Sequence, residues 1–247
     1  IIAAELGNLV SKKTKIDILV TPLVTILSGI LLTVLFAKYL GIAASSIGNI
    51  VMWATTLRPF IMGIIVSAVI GIALTLPISS AAICSAFGLV GLAGGAAVAG
   101  CCAQMVGFAV MSFKENKTSG LLSQGLGTSM LQMPNIIKNP LIWIPPTLAS
   151  MITGPIATCI FKMEMNGAAI SSGMGTCGLV GPIGVITGWF SPSEQAVANG
   201  ASAISPGRFD WLGLVLICVV LPAVLSLLFG NILRKLGWIK DGDLKLS

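Results

Sequence analysis

The sequence predicts an all-α integral membrane protein, a helix bundle that crosses the bilayer several times. Of its residues, 55% are apolar and only 9% are charged, whereas charged residues usually make up about 25% of a soluble domain. The mean hydropathy is +1.01. Several runs without charge are also long enough to cross a hydrocarbon core, which takes about 20 apolar residues.

The first segment, residues 1–17, mixes apolar positions such as Ile2 and Leu6 with charged ones such as Glu5 and Lys12. This pattern is typical of an amphipathic helix that lies in the membrane interface without crossing it. Because the sequence opens at Ile1 and not at Met, we expect that N-terminal helices of the complete protein are missing from it.

Five membrane spans are predicted within a transmembrane domain of residues 18–233. The first contains no charged residue between Asp17 and Lys38, and the other four are likewise runs without charged residues. They cover residues 18–37, 59–76, 92–113, 141–161 and 211–233.

The polar connections between these spans are predicted to be less regular. Residues 114–139 are predicted to form a loop with a short amphipathic helix, and residues 191–210 a polar loop. The charged tail, residues 234–247, is predicted to lie outside the bilayer.

A first interruption is predicted at residues 77–91, which begin with Pro77 and carry Ser79, Ser80 and Ser85. Proline removes a helical hydrogen bond and frees backbone groups. At membrane depth such groups must be satisfied by protein or water. The segment is therefore predicted to be broken or re-entrant.

A second interruption is predicted at residues 167–188, where glycine stands at 173, 175, 178, 181, 184 and 188. Glycine costs about 1 kcal/mol relative to alanine inside a helix, so this density disfavours an ordinary span. Irregular backbone is tolerated at membrane depth where it is buried or lines a water-filled cavity. We expect a hairpin that lines a polar site, with the helix broken from Gly173 to Gly184.

The string GMGTCG within this segment satisfies G-x-G-x-x-G, the dinucleotide-binding pattern. That motif requires a preceding strand, a following helix and an acidic residue about 20 positions later. Here no strand pattern precedes the glycines, and Pro182 interrupts the helix that would have to come after them. A nucleotide-binding loop is therefore excluded.

Hydroxyl, amide and carboxylate groups surround the predicted hairpins. Each hydroxyl of a sugar or similar solute requires both a donor and an acceptor, which these groups supply. The candidate substrate-binding residues are Ser79, Ser80, Gln132, Asn135, Glu164, Asn166, Ser171, Ser172, Gly173, Gly175 and Thr176.

These assignments have structural alternatives, since any single Ser or Thr among them is more typical of a helix cap or a loop residue. Glu164, the candidate acid, is equally compatible with an interfacial ion pair to Lys162. Gln132 and Asn135 are compatible either with capping a broken helix or with facing the solute cavity.

Other classes of ligand are not indicated by the composition. The chain has no His, and its six Cys lack metal-ligand spacing, so we expect no metal and no cofactor. Its basic residues stand at the ends of apolar runs, as topology-determining residues do, so nucleic acid is not an expected partner. Counting them along the sequence does not decide which side each terminus occupies.

Two long runs carry a resemblance to a known family. They are TSMLQMPNIIKNPLIWIPPTLASMITGPIATCIF, residues 128–161, and NGAAISSGMGTCGLVGPIG, residues 166–184. Both resemble the bacterial membrane proteins called PTS EIIC type 2, a group that includes perfringolysin O regulatory proteins and toxin regulators. The run KKTKIDILVTPLVTIL, residues 12–27, is similar to the corresponding helix start of sugar-specific IIC components of the phosphotransferase system.

The resemblance implies a IIC-like bundle with two re-entrant hairpins, residues 77–91 and 167–188, around a sugar site. It also implies a homodimer that crosses the bacterial cell membrane several times, contacts lipid, and presents a sugar to separate IIB and IIA phosphotransferase proteins.

One departure concerns the chemistry. Sugar IIC components use a His and a Glu near the sugar, and this chain has no His. Whether it takes part in phosphorylation therefore stays open. A non-transporting membrane sensor or regulator, and an uncoupled secondary transporter, are the alternatives to a sugar permease.

Overall fold

The computed structural model describes residues 17–246, and helices dominate them. The α-helices are α1 (Asp17–Thr55), α2 (Pro59–Thr75), α3 (Ser80–Ala86), α4 (Gly91–Met111), α5 (Phe113–Leu122), α6 (Met133–Lys138), α7 (Ile144–Pro155), α8 (Val180–Phe190), α9 (Glu194–Ala198), α10 (Arg208–Val215) and α11 (Leu221–Lys235). No β-strand occurs within the described range, where the one isolated β-bridge pairs Gly91 with Met165. The all-α prediction is confirmed.

The chain divides into two compact units, with the boundary between Ser46 and Ile47. The candidate site lies in the second unit. The predicted interfacial segment, residues 1–17, falls outside the described residues except for its last position.

Helix α1 is longer than the predicted span. It continues without interruption from Asp17 to Thr55, 39 residues, well beyond the predicted membrane span of residues 18–37. The reason is that no proline stands between Pro22 and Pro59, and isolated glycines cost a helix only about 1 kcal/mol each. The helix ends just before Pro59, as expected because proline restricts the residue that precedes it.

Helix α4 is the centre of the second unit, with every residue from Gly94 to Ala109 buried. Helices α2, α7 and α11 pack around it. Small residues allow this approach: a Cβ on Gly71 would lie 2.8 Å from the carbonyl oxygen of Gly100. In lipid, such close packing is a main source of helix association.

Buried polar side chains join the same helices. Ser67 donates a hydrogen bond to the Ser150 carbonyl at 2.7 Å. The fully buried Gln104 donates to Thr147 at 3.1 Å and accepts from the Trp143 indole at 3.1 Å. These bonds satisfy polar groups that would otherwise be unpaired in the bundle.

Among the residues that the structure describes, three helical stretches are long and apolar enough to cross a membrane: Gly91–Met111, Pro140–Ile160 and Arg208–Lys235. The last two combine helices with 3₁₀ or π-helical turns, at Pro140–Trp143, Ile156–Ile160 and Leu216–Val220. Pro59–Thr75 and Cys177–Phe190 are apolar but shorter. The number and bounds of the membrane crossings stay a prediction.

The polar connection after α4 is more helical than expected. In place of a loop with one short helix, residues 114–139 form most of α5, a π-helical turn (Ser123–Gly127), a 3₁₀ turn (Ser129–Gln132) and α6. Where one helical turn ends and the next begins, a side chain can replace a missing backbone hydrogen bond. The Thr128 hydroxyl, for example, accepts a hydrogen bond from the Met130 backbone amide at 3.1 Å. Likewise, the predicted loop 191–210 contains α9 and the start of α10.

Residues 167–188 fold back on themselves as a hairpin with two closely packed arms. Three glycines of the returning arm face the outgoing arm: a Cβ on Gly181 would lie 2.5 Å from Gly175 O, one on Gly184 would lie 2.5 Å from Ser171 Cβ, and one on Gly188 would lie 2.6 Å from Gly167 N. The arms are therefore in contact along their length.

The hairpin tip contains the break in the helix. Gly175, Gly178 and Leu179 have positive φ angles of 53°, 52° and 61°, a region that glycine enters without a steric penalty. Helix α8 begins at Val180, so the expected break to Gly184 is too long. Gly181 and Gly184 lie within α8 because they allow the two arms to approach, not because they interrupt the helix.

The segment from Pro77 to Val90 is the second irregular region, with the short helix α3 at its centre. Ser79 caps that helix, accepting from the Ala82 amide at 3.2 Å. Ser80 donates to the Gly173 carbonyl at 2.7 Å. The two irregular segments therefore contact each other.

The two ends of α4 have different neighbours. At its first residue, Gly91 and Met165 exchange two backbone hydrogen bonds of 3.0 Å. At its last residue, the Met111 carbonyl accepts a hydrogen bond from Arg234, at the end of α11. We call these the Gly91 end and the Met111 end of the bundle.

We predict that Gly181→Val destabilises the protein by about 1–3 kcal/mol, the usual cost of overpacking, because the added side chain meets the backbone of the other arm. The measurement is the thermal unfolding midpoint of purified protein in detergent. Gly41→Val is the matched control, since Gly41 also lies in a helix but a Cβ added there would meet no atom of the described residues within 4 Å beyond its own helix and chain neighbours. Equal midpoints for both variants would contradict the close contact of the arms.

Candidate functional site

A cavity of about 330 Å³ lies at the Gly91 end of the bundle. It combines charged, amide, hydroxyl and aromatic side chains. Its lining residues are Phe161, Lys162, Met163, Glu164, Asn166, Trp189, Gly200, Ala201, Ser202, Ile204, Asp210 and Gly213.

One wall is the extended backbone that comes after the π-helical turn Ile156–Ile160. The Met163 amide donates to Ala157 O at 2.8 Å, and Lys162 takes a positive φ of 45°. Gly95 of α4 allows this segment to lie directly on the helix, because any Cβ there would collide with the Met163 carbonyl. The positive φ of Lys162 is uncommon for a residue other than glycine, and it places a strained residue in the cavity wall.

Glu164 and Asn166 form the polar centre of this wall. The Asn166 amide donates to a Glu164 carboxylate oxygen at 2.9 Å. Asn166 is 8% exposed. Its backbone carbonyl accepts a hydrogen bond from the backbone amide of Ser193 at 2.8 Å, which fixes the main chain at this position. The Glu164 side chain is exposed, so its carboxylate is accessible to a solute.

The alternative of an ion pair between Glu164 and Lys162 is not seen. The ion pairs found within residues 17–246 involve other groups. Both charges therefore face the cavity without neutralising each other by direct contact.

The cavity lining also contains the aromatic residues Phe161 and Trp189. Trp189, at the end of the returning hairpin arm, packs edge-on against Trp211 with ring centroids 5.0 Å apart. Phe161 stacks on Phe209 at 4.8 Å. Such pairs have preferred geometries and hold each other in position, so the cavity has a fixed apolar surface beside its polar one.

The loop that follows α9 contributes Gly200, Ala201, Ser202 and Ile204 to the cavity lining. The Ile204 amide donates to the Trp189 carbonyl at 2.7 Å. Asp210, in the first turn of α10, accepts from the Gly207 amide at 2.8 Å. These contacts place a second carboxylate and the Ser202 hydroxyl in the lining.

The other candidates in the glycine-rich segment lie along the hairpin and not in the cavity lining. Ser172 donates to Ala169 O at 2.7 Å, and Thr176 donates to Gly125 O at 2.5 Å. Ser171 faces Gly184, and Gly175 lies against Cys101. These residues hold the hairpin together and join it to neighbouring elements.

Ser79, Ser80 and Gly173 belong to the contact between the two irregular segments. Ser79 is the exposed cap of α3, while Ser80 is buried and bonded to Gly173. They lie outside the lining of the cavity that contains Glu164.

Gln132 and Asn135 lie at the Met111 end, away from Glu164 and Asn166. Gln132 is fully buried and donates to Gln124 at 2.9 Å and to Leu244 O at 3.0 Å. Asn135 donates to Gln132 at 2.8 Å and to Lys245 O at 3.0 Å. The structure therefore brings only Glu164 and Asn166, of the eleven candidates, into the cavity lining.

Sequence reasoning missed Trp189, Ser202 and Asp210. Trp189 had one available signal, because it directly follows the last glycine of the segment. Ser202 and Asp210 had no local signal, since the folding of the α9 loop brings them to the cavity.

The arrangement suits recognition of a small polar solute. Two carboxylates accept hydrogen bonds, an amide both donates and accepts, and an ammonium donates. No cluster of three or more His, Cys, Asp or Glu side chains suited to a metal ion occurs in the part of the chain that the structure describes.

A family model described as "Phosphotransferase system, EIIC" matches residues 1–246. Comparison with the curated proteins gives no match, and neither does comparison with the solved structures. The match covers nearly the whole chain, so the resemblance seen in the sequence is confirmed. The chain therefore belongs to the EIIC family of the phosphotransferase system and is a membrane permease component of that system.

Proposed function

We propose that this EIIC protein binds a sugar or a related polyol in the cavity at the Gly91 end. The observation that carries the proposal is the Glu164–Asn166 pair, joined by a hydrogen bond of 2.9 Å in a cavity that Phe161 and Trp189 also line. Sugar hydroxyls require paired donors and acceptors, and the apolar faces of sugar rings suit aromatic surfaces. The cavity combines both kinds of surface.

The size of the cavity favours a small solute. Small-molecule pockets usually measure about 300–1,000 Å³, and this cavity, at about 330 Å³, is at the lower end of that range. Within the proposal, the Glu164 carboxylate accepts hydrogen bonds from solute hydroxyls. The Asn166 side chain orients that carboxylate and offers its own side-chain oxygen as a further acceptor.

Both irregular segments, residues 77–91 and 167–188, are proposed to be re-entrant hairpins that lie within the membrane. The contact of Gly175 with Cys101 supports this. Cys101 lies ten residues beyond Gly91, about 15 Å along a helix that rises about 1.5 Å per residue. That is roughly half of a 30 Å hydrocarbon core. Broken backbone near the midplane is a recurrent feature of transporter sites.

The Met111 end of the bundle is proposed to face the cytoplasm of a bacterium, in a multi-pass cell-membrane protein. Cytoplasmic ends of membrane helices carry an excess of Lys and Arg. At the Met111 end these residues are Lys114, Lys117, Lys138, Arg234, Lys235, Lys240 and Lys245; at the Gly91 end they are Arg58, Lys162 and Arg208. The cavity then lies on the outer side, where a solute enters.

Within this proposal the chain works as a homodimer and presents its solute to separate IIB and IIA phosphotransferase proteins. A sensor or regulator that kept the fold without transport is the second candidate. It is favoured by one observation, the absence of any His from the sequence.

We predict that Glu164→Gln weakens sugar binding about ten- to hundredfold, because a hydrogen bond to a charged group contributes about 1.5–3 kcal/mol. The measurement is equilibrium binding of a panel of radiolabelled sugars to the purified protein. Glu194→Gln is the matched control, since Glu194 lies outside the cavity lining. Unchanged affinity in Glu164→Gln would remove Glu164 from the site.

The orientation is tested by cysteine labelling in intact cells, in a background of Cys159→Ser and Cys177→Ser. We expect Ser202→Cys to react with a membrane-impermeant maleimide from outside. Lys240→Cys, at the other end, should react only after the membrane is permeabilised. The reverse pattern would place the cavity on the cytoplasmic side.

Transport is tested in proteoliposomes. We expect uptake of at least one labelled sugar that depends on a IIB protein and a phosphodonor. If no sugar is taken up with or without them, the permease proposal fails and the sensor gains support.

A further inference from the structure

The C-terminal residues 236–246, which we call the strap, are held against the Met111 end by side-chain amides. The Asn116 amide donates to Leu244 O at 2.7 Å, and its carbonyl oxygen accepts from the Leu246 amide at 2.8 Å. Asn139 donates to Trp238 O at 3.0 Å. Because these bonds go to the main chain, they fix the path of the strap independently of its side chains.

Two buried apolar side chains of the strap, Ile239 and Leu244, also hold it against the bundle; we call them the apolar anchor. Leu244 is fully buried and Ile239 is 2% exposed, packed in one cluster with Phe108 and Ile142. Burial of a leucine side chain contributes about 1.5–3 kcal/mol. The charged tail expected from the sequence is therefore also an anchored segment of the fold.

Ionic contacts at the edge of the strap are weaker. The hydrogen bond and charge of Lys114 lower the pKa of the Asp241 carboxyl. This pair is mostly solvent-exposed, and exposed pairs contribute little. The apolar anchor and the amides are thus the main restraints on the strap.

Gln132 connects the strap to the rest of the bundle. Its amide nitrogen donates both to Leu244 O and to the Gln124 side chain, at 3.0 and 2.9 Å. Gln124 is also fully buried and donates to Ser112 at 2.7 Å. Removal of the Gln132 amide leaves the buried Gln124 side-chain oxygen without this partner, which is costly, and leaves Leu244 O with the Asn116 amide.

The next residue after Gln124, Gly125, reaches the hairpin. Gln124 and Gly125 share the π-helical turn Ser123–Gly127, and the Gly125 carbonyl accepts the Thr176 hydroxyl at 2.5 Å. Thr176 is 3% exposed and stands at the hairpin tip. Turns of this type are rare and occur often at functional sites.

We propose that the strap holds the tip of the 167–188 hairpin in place through Gln132, Gln124 and the Gly125–Thr176 hydrogen bond. Gln132 is then a positioning residue and not a solute ligand. A seated strap fixes the π-helical turn, which fixes the tip. The arms carry this restraint to Asn166 and Trp189, which adjoin the hairpin base and line the cavity.

The proposal rests on the proposed function only in naming what the cavity binds. Its test uses no solute, so failure of the strap proposal and failure of the sugar site are distinguishable.

The test is hydrogen–deuterium exchange of the full chain in lipid nanodiscs, read at the amides of Cys177, Leu179 and Gly181. Each of these amides donates one backbone hydrogen bond at the tip, at 3.1, 2.9 and 2.8 Å. We expect Gln132→Ala to raise their exchange about five- to tenfold, as for the loss of one hydrogen bond of about 1–1.4 kcal/mol. Thr176→Val and the strap variant Leu244→Ala should raise it as well.

Lys114→Ala is the matched control, since it removes the exposed ion pair to Asp241 of the strap, which contributes little, and leaves the amides and the apolar anchor in place. We expect tip exchange in this variant to stay within about twofold of the parent. Exchange in the buried middle of α4, residues 97–105, should be unchanged in every variant.

Three results would overturn the proposal. The first is unchanged tip exchange in Gln132→Ala. The second is an equal increase in Lys114→Ala. The third is an increase in α4 as large as that at the tip, because it would show general unfolding and not release of the hairpin.

Discussion

Contact between main chains, without intervening side chains, is the constraint on which the rest of this structure depends. It brings α2 against α4 at Gly71 and Gly100, and it seats the extended wall of the cavity on Gly95. It also joins the two arms of the 167–188 hairpin. In a bilayer the solvent offers little hydrophobic drive for helix association, so packing of this kind and internal hydrogen bonds carry the cohesion.

Polar groups at each end of the bundle are used in different ways. At the Met111 end, amides are paired with one another and with the strap, and Gln124 and Gln132 are buried. At the Gly91 end, Glu164 has a single side-chain partner among the described residues and is exposed to the cavity. The same residue types therefore stabilise one end and remain accessible at the other.

The fold class could be predicted from the sequence, because the bilayer alone dictates the apolar composition and the length of the charge-free runs. Pro77 and the glycines of residues 167–188 also marked where the helices are irregular. Glycine density could not show which glycines interrupt a helix and which permit close contact, as Gly178 and Gly181 illustrate. Gln132 lies 112 positions from its partner Leu244, and no local pattern reports a pairing of that range. The place of Asp210 in the cavity lining could not be predicted for the same reason, because it depends on contacts between residues distant in the sequence.

The packed arms of the hairpin have a consequence for how proteins of this design diversify. Gly181, Gly184 and Gly188 leave no room for larger side chains, so that part of the structure cannot be altered one residue at a time without disturbing its partner arm. The segments 161–166 and 199–204 supply most of the cavity lining, and they include exposed residues such as Glu164 and Ser202. Within the proposed function, selectivity for a new solute can thus evolve in these two short segments, while the hairpin is preserved as an unchanging frame.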